Sequence, residues 1–238
     1  MCLQDGTYAE SRKVSVFAHG LSGHGSVPPG EFKDGNHTSL KINDETGPWL
    51  YDSATDNFEY ARTVGNRFTS FQHAPMAYDS SSDGIYSLGA TELFIYSVQL
   101  NKVFRRALPS ELHRRRDYGA AVDPGNRTLV IFGGVSPTQW QYLKTERGLP
   151  DSEFQKHVKK DTWLYRLEDD TWEKLTQSVQ PPRGYPGSDF IKYTMVYEPR
   201  NGNILLRVTP IEDVTYDRSK WPRAETWTFN AYSREWKK

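Results

Sequence analysis

The chain has 238 residues with 30 basic and 30 acidic side chains, so its formal net charge is zero. A balanced chain has no overall field to attract nucleic acid or an anionic membrane, and neither partner is expected. No apolar run approaches the roughly 20 residues that a membrane-spanning helix needs. Aromatic residues, Gly and Pro are frequent and helical periodicity is rare, which favours a single all-β domain over residues 1–238.

Two features bear on the compartment. Cys2 is the only cysteine, so no disulfide can form within the chain. Residues 1–5 lack the basic and apolar regions of a signal peptide. These features slightly favour the cytoplasm and leave the location unassigned.

An apolar run, a polar turn and a second apolar run occur together four times along the chain. This order is typical of a β-hairpin. The paired runs are Tyr8–Glu10 with Lys13–Gly20, Met76–Asp79 with Gly84–Ala90, Ala120–Asp123 with Thr128–Gly134, and Met195–Glu198 with Asn203–Thr209. Each pair therefore predicts the first two strands of a repeated unit.

A second hairpin pattern follows each of these pairs: an aromatic triplet, a turn, and another aromatic residue seven or eight positions after the triplet ends. The examples are Trp49–Tyr51 with Phe58, Phe94–Tyr96 with Phe104, Trp163–Tyr165 with Trp172, and Trp227–Phe229 with Trp236. Four-stranded units repeated along a chain predict the blades of a β-propeller. The predicted repeats cover approximately residues 6–62, 67–109, 114–176 and 183–238. Tyr51, Tyr96, Tyr165 and Phe229 are expected at equivalent positions.

The third repeat resembles the kelch repeat, in which an apolar strand ends in two glycines and a spaced Tyr and Trp follow. It contains Val130–Gly134, then Trp163–Tyr165, then Trp172. The double glycine is replaced by His19-Gly20, Gly89-Ala90 and Val208-Thr209 in the other repeats. The resemblance implies a kelch-like β-propeller, of which four four-stranded blades are visible in the repeat pattern. Two glycines allow close backbone approach, and the spaced aromatics are expected to pack between blades.

Kelch propellers usually have more blades than the four found in this chain. Three arrangements therefore stay open: an incomplete ring, a closed four-bladed ring, and further strands within the long loops. If the ring is incomplete, its terminal blades expose faces that normally pack between blades, and self-association is expected.

Three long gaps separate the second and third strands of their repeats, at Leu21–Gly47, Val135–Lys160 and Pro210–Glu225. In kelch propellers such loops project from one face, which is the usual binding surface. Aromatic residues in such loops are candidates for recognising a ligand, and the candidate binding residues here are Trp140, Tyr142 and Trp221. The alternative is that these aromatics fold back as local mini-cores. Leu149–Lys159 could form a short helix.

Arginines precede the first strand in three of the four repeats, at Arg67, Arg116 and Arg183. The resemblance implies that arginines at such places line the binding face and pair with acidic ligands. The planar guanidinium suits this role because it binds a carboxylate through two hydrogen bonds. The alternative is that these arginines form ion pairs between blades or are simply solvated.

The sequence supports no metal site, no cofactor and no catalytic residue. His19, His24 and His37 lie in the first repeat, but their spacing matches no compact zinc pattern. Ser22 is not in a hydrolase elbow, because His24 stands where that motif requires glycine. Galactose oxidase, built on kelch-type blades, uses copper with a cysteine crosslinked to a tyrosine. Cys2, at the start of the chain, does not fit that chemistry.

The predicted function is a protein-interaction or ligand-binding module that presents a loop face to a protein or an acidic ligand. The alternative is a carbohydrate-active propeller enzyme resembling sialic acid mutarotases, which need no metal. The sequence favours a non-enzymatic role without deciding the question, because one fold hosts many functions. Carboxylates and arginines converging in the central mouth would favour the enzyme.

Overall fold

The computed structural model describes residues 6–17, 19–20, 48–61, 63–65, 68–70, 74–135, 158–184, 193–210 and 223–238. Their strands form four antiparallel four-stranded sheets, arranged as four successive blades of a β-propeller. The predicted all-β fold is therefore confirmed. Within the described ranges the one helical element is a 3₁₀ turn at Ser110–Leu112, and no helix there is long and apolar enough to cross a membrane.

The strands follow one another in the same order in every blade. Blade 1 contains β1 (Gly6–Ala9), β2 (Val14–Phe17), β4 (Trp49–Asp52) and β5 (Asn57–Tyr60). Blade 2 contains β8 (Met76–Asp79), β9 (Gly84–Leu88), β10 (Glu92–Ser97) and β11 (Lys102–Ala107). Blade 3 contains β12 (Gly119–Asp123), β13 (Thr128–Val135), β14 (Val158–Arg166) and β15 (Thr171–Leu175). Blade 4 contains β16 (Tyr193–Glu198), β17 (Asn203–Val208), β18 (Glu225–Asn230) and β19 (Glu235–Lys237).

Three two-residue strands depart from this regular pattern. β6 (Val64–Gly65) pairs in parallel with β11 and adds a fifth strand to the sheet of blade 2. β3 (His19–Gly20) pairs in parallel with β7 (Thr69–Ser70). The sequence did not predict these pairings, because strands of two residues have no readable period. The helix considered for 149–159 is wrong at its last two residues, which begin β14, while 149–157 lie outside the described ranges.

In every blade, the turns that join the first strand to the second and the third strand to the fourth share one backbone feature: the residue just before the later strand has a positive φ. In the first hairpins these residues are Lys13 (55°), Asp83 (54°), Arg127 (49°) and Gly202 (65°). In the second hairpins they are Asp56 (51°), Asn101 (48°), Asp170 (56°) and Arg234 (59°). The left-handed region is uncommon for residues other than glycine, so its recurrence shows that the same type of turn is used in every blade.

The central aromatics occupy equivalent positions, as predicted. Tyr51, Tyr96, Tyr165 and Phe229 each lie on the third strand and face the residue seven positions later on the fourth: Phe58, Val103, Trp172 and Trp236. Phe104, the aromatic that follows the triplet of the second repeat, is eight positions after Tyr96 and does not face it. Phe104 pairs with Ile95, so its side chain points to the opposite face of the sheet.

The apolar core consists of three clusters, each between successive blades. Between blades 1 and 2 it includes Val16, Leu50, Ile85, Phe94 and Tyr96. Between blades 2 and 3 it includes Leu88, Ile131, Trp163 and Tyr165, and between blades 3 and 4 it includes Phe132, Leu164, Leu206, Trp227 and Phe229. In each cluster the later blade contributes the aromatic residues of its third strand. We call that side of a blade its back face, and the opposite side, which packs on the following blade, its front face.

Candidate functional site

The double glycine of blade 3 lets neighbouring chain segments approach closely. Gly133 and Gly134 have φ values of 69° and 94°, and the pairing of β13 with β14 is irregular at this point. A Cβ atom at Gly133 would lie 2.7 Å from Cζ of Tyr193, and one at Gly134 would lie 2.7 Å from the carbonyl oxygen of Arg116. Only glycine fits either position without displacing a neighbour, so this motif brings blade 4 and the segment before β12 together.

Two of the predicted arginines contact this strand end and its partner, Arg116 through its backbone and Arg183 through its side chain. The backbone of Arg116 exchanges two hydrogen bonds with Val135, with N–O distances of 3.0 and 2.9 Å. Val135 pairs in turn with Val158 at the start of β14. The Nε of Arg183 donates to the carbonyl oxygen of Val158 over 3.0 Å. Arg116 and Arg183 therefore flank one pair of strand ends, although 66 intervening positions separate them in the chain.

Two long segments begin at this same place. Residues 136–157 leave the sheet at Val135 and return at Val158, beside both arginines. Residues 211–222 begin after Pro210, which forms a β-bridge with Gly184, the neighbour of Arg183. The anchor points of both segments are therefore adjacent.

The remaining predicted site residues lie in or near such segments. Trp140 and Tyr142 belong to residues 136–157 and Trp221 to residues 211–222, so all three lie outside the described residues. Arg67 lies outside them as well. The structure thus brings together Arg116, Arg183 and the ends of the two segments that carry the aromatic candidates.

A buried tyrosine holds the two anchors in place. The hydroxyl oxygen of Tyr193 accepts a hydrogen bond from the Gly184 amide over 2.6 Å. Its ring packs edge-on against Phe132, with ring centroids 5.4 Å apart. Burial raises the pKa of Tyr193 well above its ordinary value, while the amides of Gly184 and Gly134 oppose this shift. The hydroxyl therefore stays neutral and has a positioning role. Sequence reasoning missed Tyr193, because only the fold places it against Gly133.

Arg115 is bound inside the protein. Its Nη1 and Nη2 donate to the two carboxylate oxygens of Asp161 over 2.6 and 3.1 Å. The same guanidinium donates to the carbonyl oxygens of Gly133 and Glu111. Burial alone would raise the pKa of Asp161, but the hydrogen bond and charge of Arg115 outweigh it and hold this pKa below its usual range. Arg115 and Asp161 therefore form a structural ion pair.

Arg116 is more buried than an ordinary surface arginine. Its side chain is 9% exposed, and burial lowers its pKa while the charge of Asp117 opposes that shift. Arg183 and Lys159 nearby are half-buried, and Lys160 is exposed. We call Arg116, Lys159, Lys160 and Arg183 the basic edge. It can attract and pair with carboxylate or phosphate groups.

Metal binding receives no support in the part of the chain that the structure describes. Among the described residues, no group of three His, Cys, Asp or Glu side chains is arranged to hold a metal ion. His24 and His37 lie outside these residues, and the side chain of His19 is not described.

Comparisons with known proteins identify a fold. No protein-family model matches the chain, and no curated protein matches it significantly. The solved structure of YjhT is similar, with 13% identity and a TM-score of 0.50, covering 80% of this chain and 51% of YjhT. An ancestral GH74 enzyme has 14% identity and a TM-score of 0.51, with 98% of this chain and 27% of the enzyme covered.

The chain thus spans about half the length of YjhT and about a quarter of the GH74 enzyme. At such identities the similarity shows the propeller fold alone. Membership in the kelch family stays a prediction.

Proposed function

We propose that this chain is a kelch-like propeller that acts as a binding module, and that it holds an acidic segment of a partner protein at the basic edge. The observation that carries this proposal is the convergence of Arg116 and Arg183 on the Val135–Val158 pair. Between those two valines runs the segment with Trp140 and Tyr142.

The electrostatics of the edge support an acidic ligand. The described carboxylate on β14, that of Asp161, is bound through both oxygens by Arg115 and also pairs with Lys174 over 3.6 Å. Arg116 and Arg183 are partly shielded from water, and a charge pair is stronger where the effective dielectric constant is lower. A carboxylate that reaches these guanidinium groups can therefore form charge-assisted hydrogen bonds.

The repeat extends the proposal to residues outside the described ranges. Arg67 precedes blade 2 as Arg116 precedes blade 3 and Arg183 precedes blade 4, so we assign it to the same surface. Trp140, Tyr142 and Trp221 are proposed as the apolar anchors beside the cations. Aromatic anchors next to arginines are typical of the residues that dominate binding energy at protein interfaces.

A carbohydrate-active propeller enzyme resembling sialic acid mutarotases is the alternative, and the structural similarity to YjhT and to the ancestral GH74 enzyme is compatible with it. Glycoside chemistry needs a carboxylic acid that can donate a proton near neutral pH. Asp161 does not suit that role, because Arg115 holds its pKa low. Asp161 is therefore not a candidate for the general acid, and the observation that favours the binding module is the placement of Arg116 and Arg183 at the Val135–Val158 pair.

The test is affinity capture from a cell lysate at low and high ionic strength. We expect the wild type to capture acidic proteins at low salt and to lose them as salt rises, because exposed charge pairs are screened. Arg183→Ala and the triple variant Arg67→Ala/Arg116→Ala/Arg183→Ala should lose this capture. Arg200→Ala, at an exposed hairpin turn of blade 4 away from the basic edge, is the matched control and should capture as the wild type does.

Circular dichroism of each variant separates lost binding from lost folding, since Arg116 is buried. Identical partners captured by the wild type and by folded Arg183→Ala would mean that the arginine is structural. Cleavage or epimerisation of a soluble glycan by the wild type would favour the enzyme instead.

A further inference from the structure

Part of the back face of blade 1 is exposed: Trp49 on this face is buried, but its neighbours Tyr8 and Phe58 are not. Tyr8 is 50% exposed and Phe58 is 46% exposed. The ring centroid of Phe58 lies 4.7 Å from that of Tyr51 and 6.3 Å from that of Phe17, so the rings form one continuous patch. Tyr51 is half-buried, whereas its equivalents Tyr96, Tyr165 and Phe229 are fully buried against the preceding blade.

The front face of blade 4 also lacks a covering blade in the described structure. Its residues take the register positions that Ala121, Val130, Phe132 and Leu164 occupy in blade 3. Those four are buried against blade 4. In blade 4 the corresponding residues are Val196, which is 51% exposed, Leu205, Arg207 and Thr228. Within the described residues, no apolar cluster joins blade 4 to blade 1.

The two faces also carry complementary charges at matched positions. Between blades 2 and 3, the Nη1 of Arg127 pairs with an Asp79 carboxylate oxygen over 2.5 Å. Arg127 is the positive-φ residue of its first hairpin, and Lys13 is the residue at that position in blade 1.

Asp79 ends the first strand of blade 2, and Glu198 ends the first strand of blade 4. Each carboxylate accepts a hydrogen bond from the amide two residues later, that of Ser81 over 3.0 Å and that of Arg200 over 2.9 Å. If the back face of blade 1 packs on the front face of blade 4, Lys13 should therefore lie beside Glu198. This contact would be equivalent to the ion pair between Arg127 and Asp79.

We propose that two copies of this chain associate head to tail, with the front face of blade 4 of each copy packed on the back face of blade 1 of the other. The contact repeats the three interfaces already present within the chain. It covers the exposed Tyr8 and Phe58, and it places Arg207 where its cation can stack on the aromatic patch. Two such contacts close a ring of eight blades, within the usual size range of propellers. This assembly does not depend on the proposed binding function.

The test measures the molar mass in solution, by light scattering after gel filtration and by sedimentation over a range of concentrations. The wild type should have twice the 27.4 kDa mass of one chain and dissociate on dilution. Lys13→Glu and Glu198→Lys should each weaken the dimer on the order of tenfold or more, because each variant places like charges at both contacts.

Mixing the two variants distinguishes this geometry from any other dimer. One copy of each restores an opposite-charge pair at both contacts, so the mixture should dimerise although neither variant does alone. Arg12→Glu is the matched control, because it reverses a charge at the exposed residue next to Lys13 and should leave the dimer intact.

A wild type that stays monomeric at every concentration would overturn the proposal. A dimer that neither charge reversal weakens, or a mixture of the weakened variants that stays monomeric, would do so as well. Thermal melting of each variant checks that Glu198→Lys, which also loses the turn hydrogen bonds, remains folded.

Discussion

The ring of Tyr193 fills the space that a side chain at Gly133 would need, since a Cβ atom there would lie 2.7 Å from the Tyr193 Cζ. The tyrosine comes from the first strand of blade 4 and the glycine from the second strand of blade 3. The close approach also places the Tyr193 hydroxyl under the Gly184 amide. Because Gly133 has no side chain, Tyr193 can approach blade 3 and hold the segment that carries Arg183.

Gly133→Ala should lower the free energy of unfolding by about 2–4 kcal/mol. Its positive φ strains any other residue by about 1–2 kcal/mol, and the overlap with Tyr193 adds an overpacking cost. Gly202→Ala is the matched control. Gly202 has a φ of 65° and no atom within 4 Å of its Cβ position, so only the backbone strain applies. Denaturant unfolding measures both variants, and equal losses would show that the Tyr193 contact carries no cost.

Asp161→Asn should destabilise the protein by about 3–5 kcal/mol at neutral pH, because it leaves the buried Arg115 cation without its carboxylate. The pKa of Asp161 is lower in the folded state than its ordinary value. The contribution of the Asp161 carboxylate to stability is therefore complete above the unfolded pKa of about 3.9, and it is lost as the pH falls through the pKa of the folded state.

The wild type should thus lose stability below about pH 4 more steeply than Asp161→Asn does. Asp169→Asn, at an exposed turn, is the control and should have little effect. Unfolding curves measured from neutral to acid pH give the comparison. Parallel pH profiles for the wild type and Asp161→Asn would contradict this assignment.

The repeat could be predicted from the sequence because aromatic triplets and polar turns are local signals. The equivalence of Tyr51, Tyr96, Tyr165 and Phe229 depended only on spacing along one hairpin. The ion pair between Arg115 and Asp161 had no such signal, because its partners are 46 positions apart and meet only through the fold. For the same reason sequence alone could not distinguish the internal Arg115 from its neighbour Arg116 at the basic edge.

The aromatic residues of the last two blades should differ in their contributions to stability. Trp163 and Trp236 are buried, as expected for aromatics packed between blades, but Trp172 is only partly buried. Trp163→Ala should cost about 3–5 kcal/mol, and Trp172→Ala distinctly less. The difference arises because removing a partly exposed side chain leaves a smaller buried cavity than removing a buried one.

Trp236→Phe isolates one hydrogen bond between blades. The Trp236 Nε1 donates to the hydroxyl oxygen of Thr162 over 2.9 Å, and Thr162 is fully buried. Its loss should cost about 1–2 kcal/mol. Trp172→Phe is the parallel exchange at the equivalent position and should cost less. Equal losses for the two Trp→Phe variants would show that the bond to Thr162 adds no stability.

Tyr96 makes the protein sensitive to alkali. Its side chain is fully buried and its hydroxyl donates to Oδ1 of Asn101 over 3.1 Å. Burial raises the pKa of Tyr96 to about 12. Between the unfolded pKa of about 10 and this value, the unfolded chain loses the phenolic proton while the folded chain keeps it. The free energy of unfolding should therefore fall as the pH rises above about 10.

Tyr96→Phe should remove this part of the decline, so its unfolding free energy should depend less on pH in the alkaline range than that of the wild type. Tyr232→Phe is the control, because Tyr232 is 87% exposed and its loss should leave the alkaline profile unchanged. Denaturant unfolding at neutral and alkaline pH, followed together with tyrosinate absorbance, measures both effects. An alkaline profile that is the same with and without Tyr96 would mean that this phenol ionises as readily in the folded chain as in the unfolded one.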